Sequence, residues 1–327
     1  MNKLHEKSPC CRAKIYKFGG KRRQCSVCKK TWTVWAKKRG VKPSRPNRNL
    51  LEKVLVKKRS LLSPGMTKKR LAKSSLSAKL TKAMQNQLKH SEMAPPNINN
   101  CILIVDAVWF QFNKVRWTLY LGAVRSVDSN KADILEPKLV CGRECHLSWK
   151  SFIDGLQEET KQPIKAVVVD GFRGVDRIAK SHNWIIQRCH FHLISQLQVN
   201  RGRWKKMPDT PMREEIYQTV IKLLYAEESK KVLEEHLKYL ISRPNCPRRL
   251  KMIASEYLRH LDQFRAYLLY PKLNLPATTN SIESLNKIIR TRCKHLCTPE
   301  SLLLRVRTLL RIRKTVTCNP KISTIIN

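Results

Sequence analysis

Two aspartates follow short apolar runs that are typical of buried β-strands. Asp106 comes directly after the run ILIV at 102–105, and Asp170 comes directly after AVVV at 166–169. Open α/β sheets place their active sites at the carboxyl ends of their strands, so we expect both carboxylates on adjacent strands, within about 8 Å of each other. Two carboxylates this close repel each other unless a cation lies between them. The pair therefore predicts a magnesium site.

A third carboxylate is expected on a helix later in the chain, since two divalent cations a few Å apart need more than two protein ligands. Glu283 is the strongest candidate because it follows both aspartates and a long helical stretch, in the segment TTNSIESLN. Glu300 and Glu256 are the alternatives. Glu283 also fits a capping box with Asn280 as the N-cap, which would make it a structural residue.

The elements that must position these carboxylates show alternating strand and helix patterns, and their order resembles an RNase H-like core. In chain order, the predicted elements are strand 101–106, strand 115–126, helix 149–159, strand 166–170, helix 174–182, strand 184–188, and helices over most of 193–275, over 278–292 and over 299–314.

Further sequence motifs accompany the carboxylates in a specific order. Gly171 follows the second aspartate, CHFH follows at 189–192, and TNSIESLN follows at 279–286. Over roughly residues 100–315, this arrangement resembles the DDE transposases of the bacterial Mutator-like (MULE-type) insertion sequences. That family carries a C/D-x-x-H motif between its second Asp and its final Glu, and Cys189 and His192 match it.

The resemblance implies an α/β fold with an RNase H-like catalytic core and an all-helical insertion. It implies catalytic roles for Asp106, Asp170 and Glu283, which would hold Mg²⁺ or Mn²⁺ for a two-metal-ion mechanism. The expected reaction is DNA cleavage at the element ends, followed by strand transfer into target DNA. Cys189 and His192 are expected beside the active site, as DNA-binding or supporting residues. Core packing and a hydrogen-bonded His are the structural alternative.

The charge of the chain indicates a polyanionic partner. It carries 66 Lys and Arg against 24 acidic residues, a net charge of +42, for which nucleic acid is the natural ligand. Arg173 follows the second aspartate closely, and Arg290 and Arg292 lie one to two turns past Glu283. Each could contact a DNA phosphate, and a solvated basic face is the alternative. We expect the terminal inverted repeats and the target DNA to be bound by a homo-oligomer.

The N-terminal region carries a cysteine pattern of the zinc-ribbon type. Cys25 and Cys28 form a C-x-x-C knuckle after a Gly-Gly turn, and Cys10 and Cys11 lie upstream. Zinc takes four ligands in a tetrahedron, so we predict a zinc ion held by Cys11, Cys25 and Cys28, with His5 or Cys10 as the fourth ligand. The alternative is a metal-free ribbon that packs through its tryptophans.

Composition and Pro-containing boundaries divide the chain into five segments. The first 100 residues are much denser in Lys and Arg than the rest, and helical patterns at 47–62 and 67–90 fit either a helix-turn-helix or a basic spacer. The predicted segments are a zinc-ribbon-like segment at 1–40, a basic helical (HTH-like) DNA-binding region at 41–95, the first part of the core at 96–192, the helical insertion at 193–276, and the last core helices with the C-terminal tail at 277–327.

Two other functions fit parts of the sequence. A domesticated, catalytically silent DNA-binding protein would not need all three carboxylates. An RNase H-like nuclease would seldom need a separate basic N-terminal region.

The N-terminus lacks a signal-peptide pattern and no run approaches about 18 apolar residues. We therefore expect a bacterial or archaeal protein of the cytoplasm, associated with the nucleoid and not with a membrane.

Overall fold

The structure is a computed structural model that describes residues 7–18, 22–33, 51–56, 73–91, 100–160, 164–202, 209–227 and 230–318. The chain divides into two compact units, Met1–Leu50 and Leu51–Asn327. His5, one of the predicted zinc ligands, and most of the predicted helix 47–62 lie outside the described residues.

The first unit contains a three-stranded antiparallel sheet made of β1 (Ile15–Lys17), β2 (Arg22–Cys25) and β3 (Thr31–Thr33). The turn from β2 to β3 is closed by the Cys25 amide, which donates to the Lys30 carbonyl (3.0 Å), and by the Lys29 amide, which donates to the Cys25 carbonyl (3.2 Å). Cys25 therefore ends a strand, and Cys28 lies within the tight turn that follows it.

The second unit combines helices with one mixed sheet. A π-helical turn, Glu52–Val56, is the described part of the predicted helix 47–62. The strands are β4 (Cys101–Phe112), β5 (Val115–Ser126), β6 (Lys131–Ile134), β7 (Lys138–Cys141), β8 (Ile164–Val169), β9 (Ile185–Arg188) and β10 (Thr315–Thr317). The helices are α1 (Lys73–His90), α2 (His146–Thr160), α3 (Arg173–Ser181), α4 (His190–Arg201), α5 (Thr210–Tyr225), α6 (Lys230–Ser242), α7 (Arg248–Arg259), α8 (Leu261–Phe264), α9 (Ala266–Leu269), α10 (Asn280–Cys293) and α11 (Pro299–Arg313).

The sheet has the strand order β10-β6-β5-β4-β8-β9, and β7 also pairs with β5. The pairings from β10 to β4 are antiparallel, whereas β4, β8 and β9 run parallel. The central strands are buried on both faces, which explains their continuous apolar runs. The result is an α/β unit whose parallel half is formed by the strands that carry the two aspartates.

The prediction that a strand ends at Asp106 is wrong. β4 continues well beyond it and turns back into β5 through Asn113 and Lys114, which adopt φ of 48° and 67°. Positive φ at both turn residues is the geometry of two-residue hairpins with a type I′ turn. What ends near Asp106 is the parallel pairing of β4 with β8, which extends to the pair Ile104–Val168.

The two faces of the sheet have different partners. On one face, α2 and α3 pack against alternate residues of the central strands, in a core that includes Val105, Tyr120 and Trp149. On the other face, α10 packs against β4 and β5. Successive side chains of a strand point to opposite faces, so Asp106 faces α10 because Val105 belongs to the first core.

The helices α4 to α9 lie between β9 and α10 in the chain, and α4 to α8 share a hydrophobic core of their own. They also cover the edge strand β9. The Gln187 amide donates to the Phe264 carbonyl (3.0 Å) and accepts from the Tyr267 backbone amide (2.8 Å). This helical layer begins at His190, within the CHFH motif, and not at Leu193 where the predicted insertion starts.

No described helix has the length and the apolar composition that a membrane span requires.

Candidate active site

Three side chains occupy equivalent positions on three adjacent parallel strands. β8 pairs with β4 at Ile104–Val168 and with β9 at Val169–Arg188. Extending these registers places Asp106, Asp170 and Cys189 in one row, on the face of the sheet that α10 covers. The two aspartates therefore lie on adjacent strands, as the sequence predicts.

The two aspartates of this row differ in exposure. Asp106 is buried, with 8% of its surface accessible, and its Oδ1 accepts a hydrogen bond from the Ala107 amide (2.8 Å). Asp170 is exposed at the end of β8, and its Oδ1 accepts from the Phe172 amide (3.0 Å), which tightens the turn after the strand. One carboxylate is thus enclosed by the protein, and the other is exposed to solvent.

Gly171 shapes the turn that carries Asp170. Its φ of +100° is a conformation that residues with a side chain rarely adopt, and an added Cβ would lie 3.2 Å from Nη1 of Arg188. That arginine is buried and pairs with Asp176 at 2.6 Å. The close approach of a buried guanidinium explains why a glycine follows the second aspartate.

Glu283 faces this row from the first turns of α10. The capping-box interpretation is wrong, because the N-cap is Thr279, with no side-chain cap hydrogen bond, and not Asn280. The carboxylate instead accepts a hydrogen bond from the Thr279 hydroxyl at Oε1 (2.8 Å). The same oxygen lies 3.7 Å from Sγ of Cys189 and 3.3 Å from Nδ1 of His192. The C-x-x-H pair of the sequence therefore contacts this carboxylate.

Asn286 was not singled out from the sequence, yet it contacts the first aspartate. Its Nδ2 donates to Oδ2 of Asp106 at 2.6 Å, and the side chain is buried. Its Oδ1 is buried and makes no hydrogen bond to any residue that the structure describes. The available signal was helical spacing, since residues three apart share a face and Asn286 follows Glu283 by three.

Glu144 is a further carboxylate that sequence reasoning missed. It lies in the loop between β7 and α2, half-buried, and its Oε1 accepts a hydrogen bond from Nε1 of Trp149 (2.6 Å). The start of α2 lies against the start of α3, because Nδ1 of His146 lies 2.9 Å from the Gly174 carbonyl. Burial raises the pKa of Glu144, and the charge of Asp170 raises it further. The hydrogen bond from Trp149 opposes this shift.

The site concentrates negative charge around Asp106. Burial raises the pKa of this carboxyl to about 8, and the charges of Asp170, Glu283 and Glu144 act in the same direction. The Ala107 amide opposes the shift. Burial and like charge thus act together on Asp106, and a cation bound nearby would favour its ionised form.

The pKa of Asp106 gives a prediction for stability in metal-free buffer. The folded state holds this proton more tightly than the unfolded chain, so ionisation destabilises the fold progressively as the pH rises from about 4 to about 8. At pH 8, the free energy of unfolding of Asp106→Asn should therefore exceed that of the wild type by at least about 2 kcal/mol, because one pKa unit corresponds to about 1.4 kcal/mol. The variant should also unfold at a higher temperature. The gap should shrink at pH 5, and equal curves at both pH values would contradict the burial of this charge.

The two alternative carboxylates have other roles in the structure. Glu256 lies in α7, where it contacts Arg188 (3.5 Å), Arg259 (2.7 Å) and His260 (3.2 Å). Glu300 is exposed in the first turn of α11. Both side chains therefore fit a structural or a surface role.

The three predicted phosphate-binding arginines lie on the surface or near it. Arg173 begins α3 and is exposed, as is Arg290 in the last turns of α10. Arg292 is half-buried, and its carbonyl accepts a hydrogen bond from Arg305 (3.0 Å). Their contact with DNA stays a prediction.

In the first unit, four cysteines come together. The sulfur atoms of Cys10, Cys11, Cys25 and Cys28 all lie within 4.8 Å of one another. Ser8, where a regular C-P-x-C knuckle would have its first cysteine, is buried and lies 3.2 Å from Sγ of Cys25. The Ser8 hydroxyl therefore contacts the cluster without being one of its four cysteines, and Cys10 is the fourth cysteine beside Cys11, Cys25 and Cys28.

Comparisons with known proteins show which family the chain belongs to. The sequence model of the family described as "Transposase, Mutator family" matches residues 58–311. A search of curated proteins returns no significant match. A chain from the "CryoEM structure of simian T-cell lymphotropic virus intasome in complex with PP2A regulatory subunit B56 gamma" aligns at 12% identity with a TM-score of 0.21, which is too low to support an argument.

That alignment covers 59% of this chain and 65% of the other, so this chain spans less than two thirds of that protein's length. The family match is different in kind, because it extends from residue 58, within the basic N-terminal region, to the last helix and includes all three carboxylates. The chain belongs to the Mutator family of transposases.

Proposed function

We propose that this protein is a DDE transposase that cleaves DNA at the ends of a mobile element and joins those ends to target DNA. The observation that carries the proposal is the convergence of Asp106, Asp170 and Glu283 at one edge of the parallel strands, in a chain of the Mutator family. The proposed core is RNase H-like. An antiparallel hairpin joined to two parallel strands, with helices on both faces, supports that assignment.

The carboxylates fit a hard divalent cation. All the charged ligands are oxygen atoms, as Mg²⁺ and Mn²⁺ prefer, and a bound cation would offset the mutual repulsion of the carboxylates that, together with burial, raises the pKa of Asp106. Oδ1 of Asn286, which makes no hydrogen bond within the described part of the chain, adds a neutral oxygen beside the same aspartate. A divalent cation bound there supplies the charge that activates the attacking oxygen and stabilises the leaving oxygen.

The residues around the carboxylates position them for this chemistry. Asn286 orients Asp106 through a hydrogen bond to Oδ2. Thr279 holds Oε1 of Glu283, so the other carboxylate oxygen of Glu283 would be the one to bind the metal. Cys189 and His192 close the space behind that carboxylate. We assign the neighbouring arginines, Arg173 and Arg290, to the phosphates of the bound DNA.

The direct test is cleavage of a labelled DNA duplex that carries one end of the element. The full-length chain with Mg²⁺ should nick the duplex at the element end and leave a 3′-hydroxyl, which then joins to a target duplex. A scrambled end should remain intact. Specific binding without cleavage under any divalent cation would identify the protein as a catalytically silent DNA-binding protein instead.

Asn286 provides a sharper test of the geometry. A hydrogen bond to a charged group contributes about 1.5–3 kcal/mol, so Asn286→Ala should lower the single-turnover cleavage rate by about 10- to 100-fold. Lys287→Ala, which changes an exposed neighbour on the same helix, is the matched control and should cleave normally. An unchanged rate in Asn286→Ala, with an unchanged melting temperature, would remove Asn286 from the site.

We propose that the four-cysteine cluster of the first unit binds one structural zinc through Cys10, Cys11, Cys25 and Cys28. Four thiolates at these separations form a closed tetrahedral site. The purified full-length chain should retain one zinc after dialysis, and Cys25→Ser should lose it. Cys141→Ser, an exposed thiol of the second unit, should keep it. No zinc in the wild type would leave a metal-free ribbon.

The remaining proposals concern assembly and location. The protein is proposed to act as a homo-oligomer that brings two element ends together, in the cytoplasm and on the nucleoid of a bacterial or archaeal cell. Light scattering of the complex with end DNA tests the first part. One protein chain per DNA end with no pairing of ends would contradict it.

A further inference from the structure

The space behind Glu283 contains three atoms that are ligands of soft metals. Sγ of Cys189, Nδ1 of His192 and a carboxylate oxygen of Glu283 all lie within 4.8 Å of one another. The sulfur lies 3.7 Å from Oε1, and the ring nitrogen lies 3.3 Å from the same oxygen. His190, the other histidine of the motif, points away and lies 2.6 Å from the Phe264 carbonyl.

These separations match a tetrahedral zinc site. Bonds of about 2.3 Å to sulfur and 2.0–2.1 Å to nitrogen or oxygen imply a sulfur–oxygen separation of about 3.5 Å and a nitrogen–oxygen separation of about 3.3 Å. The corresponding separations in the protein are 3.7 and 3.3 Å. A bound ion therefore needs only a small adjustment of the side chains.

The surroundings of the three atoms support a bound cation. The backbone amide of Thr279 lies 3.2 Å from Sγ of Cys189, where it can donate to a thiolate, and the hydroxyl of Thr279, which donates to Glu283, lies at the same distance. Nδ1 of His192 is buried and has no hydrogen-bond partner among the residues that the structure describes. The His192 side chain is 35% exposed, which gives an ion a path to the otherwise buried sulfur.

We propose that Cys189, His192 and Glu283 form a binding site for Zn²⁺, distinct from the magnesium position, and that its occupancy inhibits strand cleavage. A thiolate ligand favours Zn²⁺ over Mg²⁺ because it is soft. The ion displaces the thiol proton to solvent and leaves one coordination position for water. Zinc neutralises the charge of Glu283, so this carboxylate attracts the magnesium ion less strongly. The inhibition rests on the proposed function, whereas the binding does not.

The binding test uses the full-length chain with its N-terminal zinc in place and Co²⁺ as the spectroscopic probe. One further equivalent of Co²⁺ should bind and produce a thiolate-to-cobalt charge-transfer band, which excess Zn²⁺ abolishes. Cys189→Ser should lose the band, and His192→Asn should weaken binding at least tenfold. Cys297→Ser, an exposed thiol elsewhere, is the control and should keep the band. No band in the wild type, or a band that survives in Cys189→Ser, would overturn the site.

The inhibition test compares cleavage of end DNA at fixed Mg²⁺ with and without added Zn²⁺, as a ratio for each variant. The wild type should slow at least tenfold and recover when a chelator removes the added zinc. The ratio should approach one in His192→Asn. A cobalt band with no effect of zinc on cleavage would overturn the inhibition. A cobalt band in a protein that never cleaves DNA would contradict the proposed transposase and leave the metal site intact.

Discussion

Asp106→Asn, Asp170→Asn and Glu283→Gln are each expected to lower strand cleavage at the element end by about a thousandfold or more. Each change keeps the shape of the side chain and removes one negative charge from the proposed metal site. A bound cation contributes several kcal/mol of transition-state stabilisation, and each 1.4 kcal/mol is about a factor of ten in rate. Binding to end DNA should survive, because the basic N-terminal region is unchanged.

The control for this series is Glu300→Gln, which removes an exposed carboxylate at the start of α11 and should leave cleavage within about twofold of the wild type. The three site variants should all be folded, and Asp106→Asn should be more stable than the wild type without metal. Wild-type cleavage in Glu283→Gln would transfer the third carboxylate role to Glu300 or Glu256.

The metal dependence follows from the same ligands. Mg²⁺ or Mn²⁺ should support cleavage, because both accept a compact set of oxygen ligands. Ca²⁺ should permit assembly on DNA with little cleavage, since it is larger and less strict in its geometry. Titration of each ion into the reaction measures this order, and efficient cleavage with Ca²⁺ would contradict it.

The second large effect concerns DNA binding, which should weaken steeply with salt. The net charge of +42 gives many Lys and Arg that displace counterions from phosphates. A protein that contacts about six or more phosphates loses about 10³-fold or more in affinity between 50 and 200 mM salt. Fluorescence anisotropy with end DNA and with scrambled DNA of equal length measures both the slope and the preference.

Deletion of residues 1–95 should remove most of this affinity and the preference for end DNA. The segment is the densest in basic residues and contains the proposed zinc cluster. A deleted protein that still prefers the element end would place sequence recognition in the second unit.

Part of the fold could be predicted because several of its strands are apolar runs bounded by polar residues. β8 ends at Val169, one residue before Asp170, as its AVVV run indicates, and the helices before and after the insertion lie close to their predicted positions. The strand of Asp106 was misjudged because the residues after it continue an apolar pattern into a hairpin. The charged residue was taken as the end of the strand, although it lies in the middle of β4.

The candidate site was only partly predictable, because tertiary register decides which side chains meet. The row of Asp106, Asp170 and Cys189 depends on how three strands align, and no local pattern encodes that alignment. Asn286 contacts Asp106 from a helix face, and Glu144 acts on the site from a loop through its charge; a single sequence offers only weak signals for either. The capping-box interpretation of Glu283 failed because its carboxylate contacts two residues that are not part of that pattern. Cys189 is distant in the sequence, and Thr279 precedes the predicted N-cap.

The central claim is that Asp106, Asp170 and Glu283 hold the catalytic cations, and the most direct test is anomalous diffraction from crystals of the protein with end DNA and Mn²⁺. Manganese peaks should lie roughly 2.0–2.4 Å from carboxylate oxygens of Asp106 and Asp170, with Glu283 completing the site. Glu283→Gln should lose occupancy at one or both peaks. A crystal with bound DNA and manganese elsewhere, but no peak at these three residues, would contradict the account.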